Sequence, residues 1–384
     1  MDFDLSDEQK LIADNVARLM KDKYGFEQRK AYGAAANGFS EELWRQYADL
    51  GLLGAPFAEE EGGFGGGAVE IMLTEEAFGR ALALEPYFAT VVLAGGALRH
   101  GATAEQRAEL IPQIASGELR LALAHAEPQS GWNIFDVRTT AKRDGDGYKL
   151  DGEKGLVLNG DSAQKLIALA RVSGGQRDVD GLGLFLIDAD APGVARRPYP
   201  TQDGRRAAEI SFSGAKAKAL GEPGKAGPAM ARVIEDAIAA LSAEAVGAMA
   251  EAVEMTTEYL KTRKQFGVTI GSFQALQHRA SDMVVALEQA RSMALFATVM
   301  AENEDAAERG RAIAAAKAQI GRSGRHIGQE AIQLHGGIGM TMEYKVGHYF
   351  KRMTMIDQCF GDADTQLARL ADAGSLFEPA EEDG

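Results

Sequence analysis

From Leu5 to about Arg120 apolar residues recur at three and four spacing, in runs such as "SEELWRQYADLGLLGAPF" and "AVEIMLTEEAFGRALAL", which predicts amphipathic helices. Ser6 followed by Gln9 has the form of a capping box that opens the first of them. Between these runs lies "EEEGGFGGG". It has the glycine content of a phosphate loop, but no strand precedes it and its charges are acidic, so it reads as a connection. From about Leu121 to Lys225 the texture changes to short β-rich runs, "GYKLDG", "GLVLNG", "KLIALARV", "GLGLFLI" and "AEISFSG", which predict a sheet domain. Helical periodicity returns at "PAMARVIEDAIAALSAEAVGAMAEAVEMTTEYLKTR", a helix roughly 50 Å long at 1.5 Å per residue. Further helices follow, from Ser272 to about Asn303 and from Ala306 to about Ile332. Long helices with short connections predict an antiparallel bundle. The expected plan is α+β and mainly α: an N-terminal helical domain over 1–120, a middle β domain over 121–225 and a C-terminal helical bundle over 226–384, ending in a solvated tail, "EPAEEDG".

Bulk composition narrows the function. The 384 residues are 46% hydrophobic and 25% charged, as in ordinary globular proteins. A net charge of -15 repels phosphate backbones and anionic lipid, so neither nucleic acid nor a membrane surface is expected as a partner. The start, "MDFDLSDEQK", lacks the basic and apolar regions of a secretory signal, and no uninterrupted apolar stretch approaches eighteen residues. Cys359 is the single cysteine, which suits a reducing cytoplasm. The histidines lack metal-ligand spacing, and Asp362 with Asp364 lacks the further oxygens a calcium or magnesium site needs. No metal is expected. Arg309, Arg311, Lys317, Arg322 and Arg325 read as solvated or interfacial helix positions.

Two glycine-bearing stretches interrupt the bundle. In "TRKQFGVTIGSFQALQ", Arg263 closes one helix, Gln274 opens the next and Phe266 lies between. An arginine beside a helix start suits a diphosphate; a dipole-complementing helix end is the plainer reading. In "AIQLHGGIGMTMEY", Gly336 and Gly337 permit close approach of a flat ligand or a glycine-capped helix end, and Gln333 has the groups to bond a purine edge.

With "PFAEEEGGFGG", "EEAFGRALA", "AEPQSGWN", "DGEKGLVLNG" and "LGEPGKAG" in order before them, "RKQFGVTIGSFQALQHRASDM" and "QLHGGIGMTMEY" identify a chain that resembles the acyl-CoA dehydrogenase family along nearly its whole length. The resemblance implies N-terminal helices, a β-barrel-like middle domain, a C-terminal four-helix bundle, FAD, a dimer of dimers and an electron-accepting flavoprotein partner. It implies that Arg263, Phe266, Gln274 and the segment Gln333, Leu334, His335, Gly336 and Gly337 bind the ADP half of a flavin lying mostly in a neighbouring subunit. It places His125, Ala126, Ser130 and Leu158 at the flavin of this chain's own middle domain. The implied reaction is α,β-dehydrogenation of an acyl-CoA thioester, in which a carboxylate removes the α-proton and hydride leaves the β-carbon.

Departures from the family pattern fall on that chemistry. The segment that usually carries a glutamate base reads "FGDADTQLARL". Counting places the glutamate's equivalent on Phe360, Gly361 or Asp362, none of them Glu; Asp362 would sit over 1 Å short, enough to cost about a hundredfold in rate. The alternative base slot on the long helix falls at Ala237. Glu244, two turns on among apolar neighbours, is a candidate buried carboxylate of raised pKa, with a salt bridge as the plainer reading. Ala126 replaces the usual threonine, although Ser130 keeps a hydroxyl, while Leu156 replaces a tryptophan and Leu158 a hydroxyl donor. Leucines cannot hydrogen-bond a ring. With intact ADP-side motifs, this resembles the small subunit of a heteromeric enzyme, such as pimeloyl-CoA dehydrogenase, partnered by a homologous large subunit. A self-sufficient homotetramer using Asp362 or Glu244 and an inert scaffolding subunit are the competing readings.

Overall fold

The computed structural model describes residues 5–374, and the sequence's acidic tail lies outside them. Six helices come first: α1 (Asp7–Lys23), α2 (Phe26–Gly33), α3 (Glu41–Asp49), α4 (Ala68–Ala81), α5 (Gly95–Gly101) and α6 (Ala104–Ala115). The Ser6–Gln9 capping box opens α1 with both reciprocal bonds made, satisfying two of the N–H groups a helix start leaves free. Strands β1 (Leu121–Ala124), β2 (Thr140–Asp144), β3 (Gly147–Leu158), β4 (Lys165–Arg171), β5 (Leu182–Asp188), β6 (Val194–Pro200) and β7 (Arg206–Gly224) form the middle unit. The helix α7 (Gly227–Thr262), a small hairpin of β8 (Lys264–Gln265) and β9 (Val268–Thr269), and α8 (Gln274–Ala301), α9 (Ala306–His335), α10 (Val346–Gln358) and α11 (Ala363–Asp372) complete the chain.

The "GYKLDG" and "GLVLNG" runs prove to be one strand, β3, because register shifts after Leu150 and Lys154 carry it through two irregularities without breaking its pairing to β7. Both faces of β4 and β5 are apolar, so these strands read as continuous runs rather than alternating ones. The sheet closes on itself: β4 pairs with β5, β5 with β7, β7 with β3, β3 with β2, and β2 returns to β4 through the parallel pair Thr140–Arg171. The barrel-like expectation holds. Its interior holds Leu150, Val157, Leu166, Phe185, Ile187 and Ile210, all nearly or wholly excluded from solvent.

The C-terminal helices pack as a bundle of α7, α8, α9 and α10, with α11 on α9 and α4 laid along α7. At 1.5 Å per residue the 36 residues of α7 span about 54 Å. Two glycines let α4 and α7 meet backbone to backbone. A Cβ at Gly79 would stand 1.9 Å from the Glu244 carbonyl oxygen, and one at Gly247 would stand 1.9 Å from that of Glu76.

Two of the basic residues expected on solvated or interfacial faces are buried. Lys317 is fully excluded from solvent and its ammonium donates to the carbonyls of Ile356 (2.7 Å) and Asp357 (2.8 Å) at the end of α10. Arg309 is buried against Glu235 at 2.5 Å. Periodicity alone could not place them, because α9 is covered by α7, α8, α10 and α11 and so has little free face.

Replacing Gly247 with alanine is expected to lower unfolding free energy by at least about 1–3 kcal/mol, the usual range for overpacking. Denaturant titration checks this; an unchanged midpoint would show that the two helices separate freely.

Candidate active site

Two adjacent cavities lie where the β unit meets the bundle. The inner one, about 280 Å³, is walled by His125, Leu156, Leu158 and Phe360 among others; a larger groove, about 800 Å³, runs outward between the N-terminal halves of α7 and α9 and the face of α11. They share Trp132, Asn133 and Ile134. Trp132 bridges the two units, because its indole N–H donates to the Gln358 carbonyl (3.0 Å) and its own carbonyl accepts from Arg369 (3.3 Å). Nothing in the sequence pattern pointed to this role for Trp132.

The wall from His125 to Ser130 is held by a buried ion pair. Lys154 and Glu127 meet at 2.7 Å, and the same carboxylate accepts from the backbone N–H groups of Arg138 and Thr139. Burial pushes the Glu127 carboxyl up, but Lys154 and these donors more than reverse that and hold it at about 2. The hydroxyl of Ser130 is spent locally, donating to the Glu127 carbonyl at 2.9 Å. Ala126 and Leu158 offer the cavity no side-chain donor. Burial, aided by Lys154, lowers the His125 imidazole to about 4 and keeps it neutral. Its Nδ1 is buried without a partner.

Beneath the inner cavity the chain turns at Phe360 and Gly361, both at positive φ (61° and 101°). A phenylalanine there is strained. Gln366 holds the turn by donating to the carbonyls of Phe360 (2.9 Å) and Gly361 (3.3 Å). The Phe360 ring thereby lies stacked on His125 at 5.9 Å between centroids.

Asp362 lines neither cavity. It is the N-cap of α11, accepting from the N–H (3.0 Å) and hydroxyl (2.7 Å) of Thr365, and these bonds lower its pKa. A carboxylate so engaged is a helix cap with a weakened claim as a base. Asp364 is exposed in the first turn of the same helix.

Glu244 is wholly buried, as its apolar neighbours suggested, but the expected raised pKa is corrected. Burial pushes the carboxyl up, yet Arg205 and Arg352 more than offset it, leaving it below the ordinary value. Arg352 donates to Glu244 through Nε (2.7 Å) and Nη2 and to Asp203 through Nη1 (2.7 Å), and Arg205 adds a bond to Glu244 at 2.5 Å. The salt bridge is internal and joins three units, since Arg205 also donates to the Ala83 carbonyl at 3.1 Å. Sequence reasoning missed its partners, which come from distant elements.

Among the described residues the carboxylates reaching the cavities are Glu127 in the inner one and Glu235 in the groove. Each is paired, with Lys154 and Arg309. No cluster of three potential metal ligands occurs among the described residues.

The ADP-side residues lie apart, on the outer face of the bundle. Arg263 caps the end of α7, Gln274 begins α8, and Phe266 is 90% exposed at a positive φ of 54°. Gln333, Gly336 and Gly337 are exposed at the end of α9, where Gly336 turns the chain at φ 65°. Leu334 and His335 are buried instead, the imidazole stacked on Tyr259 at 4.5 Å. These two support the turn from within.

Two outcomes test the assignments. Asp362→Asn keeps a good cap and is expected to leave turnover of the flavin-loaded enzyme within a few-fold of wild type, whereas loss of a true base would cost far more; Asp362→Ala should cost about 1 kcal/mol of stability. Arg352→Met strands two buried carboxylates and should cost about 3–5 kcal/mol. Asp203 is held at about 2, chiefly because Arg352 and Arg205 reverse the effect of burial. Its contribution is present above the ordinary carboxylate range and is lost as pH falls toward 2. The variant's denaturation midpoint should therefore be less pH-dependent between 4 and 2 than that of wild type.

Family comparisons agree with this geometry. The chain matches the acyl-CoA dehydrogenase N-terminal domain over residues 6–118, the middle domain over 122–214 and the C-terminal domain over 229–374. It is 28% identical to the probable acyl-CoA dehydrogenase YngJ of Bacillus subtilis, over 98% of this chain and 100% of the relative. Among solved structures, a variant of the Tcur3481–Tcur3483 steroid ACAD is 32% identical with a TM-score of 0.86, over 95% of this chain and 97% of that one. The ChsE4–ChsE5 complex of Mycobacterium tuberculosis is 26% identical with a TM-score of 0.85, over 97% and 98%. With all three domains matched in order and three structural units to match, the chain belongs to the acyl-CoA dehydrogenase family of FAD-dependent oxidoreductases.

Proposed function

We propose that this chain is the small subunit of a heteromeric, FAD-dependent acyl-CoA dehydrogenase, completing across an interface a flavin site whose ring is housed by a homologous larger chain. The observation that carries the reading is the contrast between its two flavin-related surfaces. The inner cavity has no free hydroxyl and no unpaired carboxylate among the described residues, while Arg263, Phe266, Gln274 and Gln333 are exposed to solvent.

The donor set on the outer face fits a dinucleotide tail. Arg263 supplies a fixed cation, and the first N–H groups of α8 are free of intrahelical partners. A diphosphate between them gains charge-assisted bonds, and the exposed Phe266 ring offers apolar cover. When bound, FAD supplies the hydride acceptor. The α-proton passes to a carboxylate of the larger chain, since those of this chain nearest the cavities are already engaged by Lys154 and Arg309.

The surface is suited to such an assembly. By length and composition α8 is apolar enough to cross a membrane, but it packs into the bundle against α7 and α9. Its outward face shows Val284, Val285 and Phe296, and Met340 and Met342 are exposed beyond α9. Exposed apolar side chains of this size are available to an interface. Both complexes among the similar structures carry paired names, Tcur3481–Tcur3483 and ChsE4–ChsE5, which favours a two-chain assembly here.

The chain purified alone is expected to be colourless, and to carry flavin only when co-expressed with a larger family member that retains the glutamate. Absorbance at the flavin band per protein chain reads this directly. Arg263→Ala in the co-expressed pair should weaken flavin retention at least tenfold, the loss of a charge-assisted pair. A full flavin complement in the chain alone, with bleaching by an acyl-CoA, would refute the proposal.

A further inference from the structure

Helix α11 ends at the lip of the larger groove. Arg369, Leu370 and Ala373 line that groove, and Gly374, at φ 106°, closes the helix with its N–H on the Ala371 carbonyl at 3.4 Å. A glycine with positive φ at this position turns the chain away from the helix axis, and an apolar residue just past such an end commonly packs on the last helical turn. The next apolar residues in the sequence are Leu376 and Phe377, followed by Glu378, Glu381, Glu382 and Asp383. Residues 375–384 lie outside the described part of the chain.

The groove is complementary to this order of residues. Ile234, Ile238, Ile313 and Leu370 give it apolar walls, and Arg311 and Arg369 stand in the same lining. Both arginines are exposed. Neither meets a carboxylate among the described residues: Arg369 donates to the Gln366 side chain and the Trp132 carbonyl, each at 3.3 Å. The carboxylate that lines the groove, Glu235, is taken by Arg309. In a chain of net charge -15, two cations without acidic partners beside an apolar cleft form a local site for an apolar segment that continues into acids.

We propose that residues 375–384 turn back into the larger groove, with Leu376 and Phe377 against its apolar walls and the acidic residues beyond them beside Arg311 and Arg369. Ten residues extend up to about 33 Å, and α11 already packs on α9, the far wall, so the reach is ample. Attachment at the lip holds the segment at an effective concentration on the order of millimolar. Weak contacts then suffice to seat it, an advantage that an untethered occupant lacks. The segment that composition alone marks as solvated becomes a cover built into the chain, and any other occupant of the groove has to displace it. The inference is independent of which chain houses the flavin.

Trp132 reports on the groove directly. It lines the groove at 40% exposure, whereas the only other tryptophan, Trp44, is 1% exposed. Acrylamide is an uncharged quencher, so its local concentration does not depend on the acids of the tail. Deleting residues 375–384, which leaves α11 entire, should raise the acrylamide quenching constant roughly twofold or more as the groove wall loses its cover. Leu376→Ser combined with Phe377→Ser in the full-length chain should give the same rise. The synthetic peptide "SLFEPAEEDG", added to the truncated chain, should reverse it, and Arg311→Gln should weaken that peptide roughly two- to fivefold, the worth of an exposed ion pair. Equal quenching with and without the tail overturns the proposal. A rise on truncation that the double serine variant fails to reproduce also overturns it, since the tail would then shield Trp132 without seating its apolar pair. Peptide affinity unmoved by Arg311→Gln overturns the pairing with that arginine. None of these readouts depends on flavin content, which tests the small-subunit reading separately.

Discussion

Four charges, three of them buried and Arg205 partly so, hold the molecule's three units in register: Glu244 on α7, Arg352 on α10, and Asp203 and Arg205 on the turn between β6 and β7. Burying any one of them alone would cost several kcal/mol, and the set is tolerable only because each carboxylate meets a guanidinium. Arg205 extends the network to the N-terminal helices through the Ala83 carbonyl. Nearby, Glu75 is buried with one carboxyl oxygen unpartnered. Burial, first, and then the negative charge of Glu244 raise its pKa well above the ordinary range. The α4–α7 crossing at Gly79 and Gly247 brings these groups together, and the larger groove opens along the N-terminal half of the same α7.

That network gives Glu244, a carboxylate in an apolar helix stretch, the surroundings of a salt bridge. Glu244 has the burial that raises a pKa, but it also has two cations, and the cations win. Asp362 meets the opposite fate at the surface of the same region, engaged by Thr365 as a helix cap. At the inner cavity Phe360 forms part of the wall, and the one carboxylate among its described lining residues, Glu127, is paired with Lys154.

Much of the fold was legible in the sequence because it rests on local rules. The capping box at Ser6, the glycine end of α9 and the bounds of α7 all follow from side chains acting within a few residues. The barrel's closure was legible as a class and not in detail: the merging of two runs into β3 depends on pairing with β7, sixty residues away. The burial of Lys317 was hidden for the same reason, since its partners are carbonyls of α10. At the site, the losses at Ala126 and Leu158 could be read directly, because an alkyl group excludes a hydrogen bond wherever it lies. The bridging of two units by Trp132 could not, since it depends on where α10 and α11 dock.

The division of labour between chains is the central claim, and the position of the flavin in the assembled enzyme tests it most directly. A structure of the flavin-loaded complex should show the diphosphate on Arg263 of this chain, with the isoalloxazine in the larger chain and out of contact with Leu156 and Leu158. An isoalloxazine seated between those two leucines, with a carboxylate of this same chain facing a bound thioester, would contradict it.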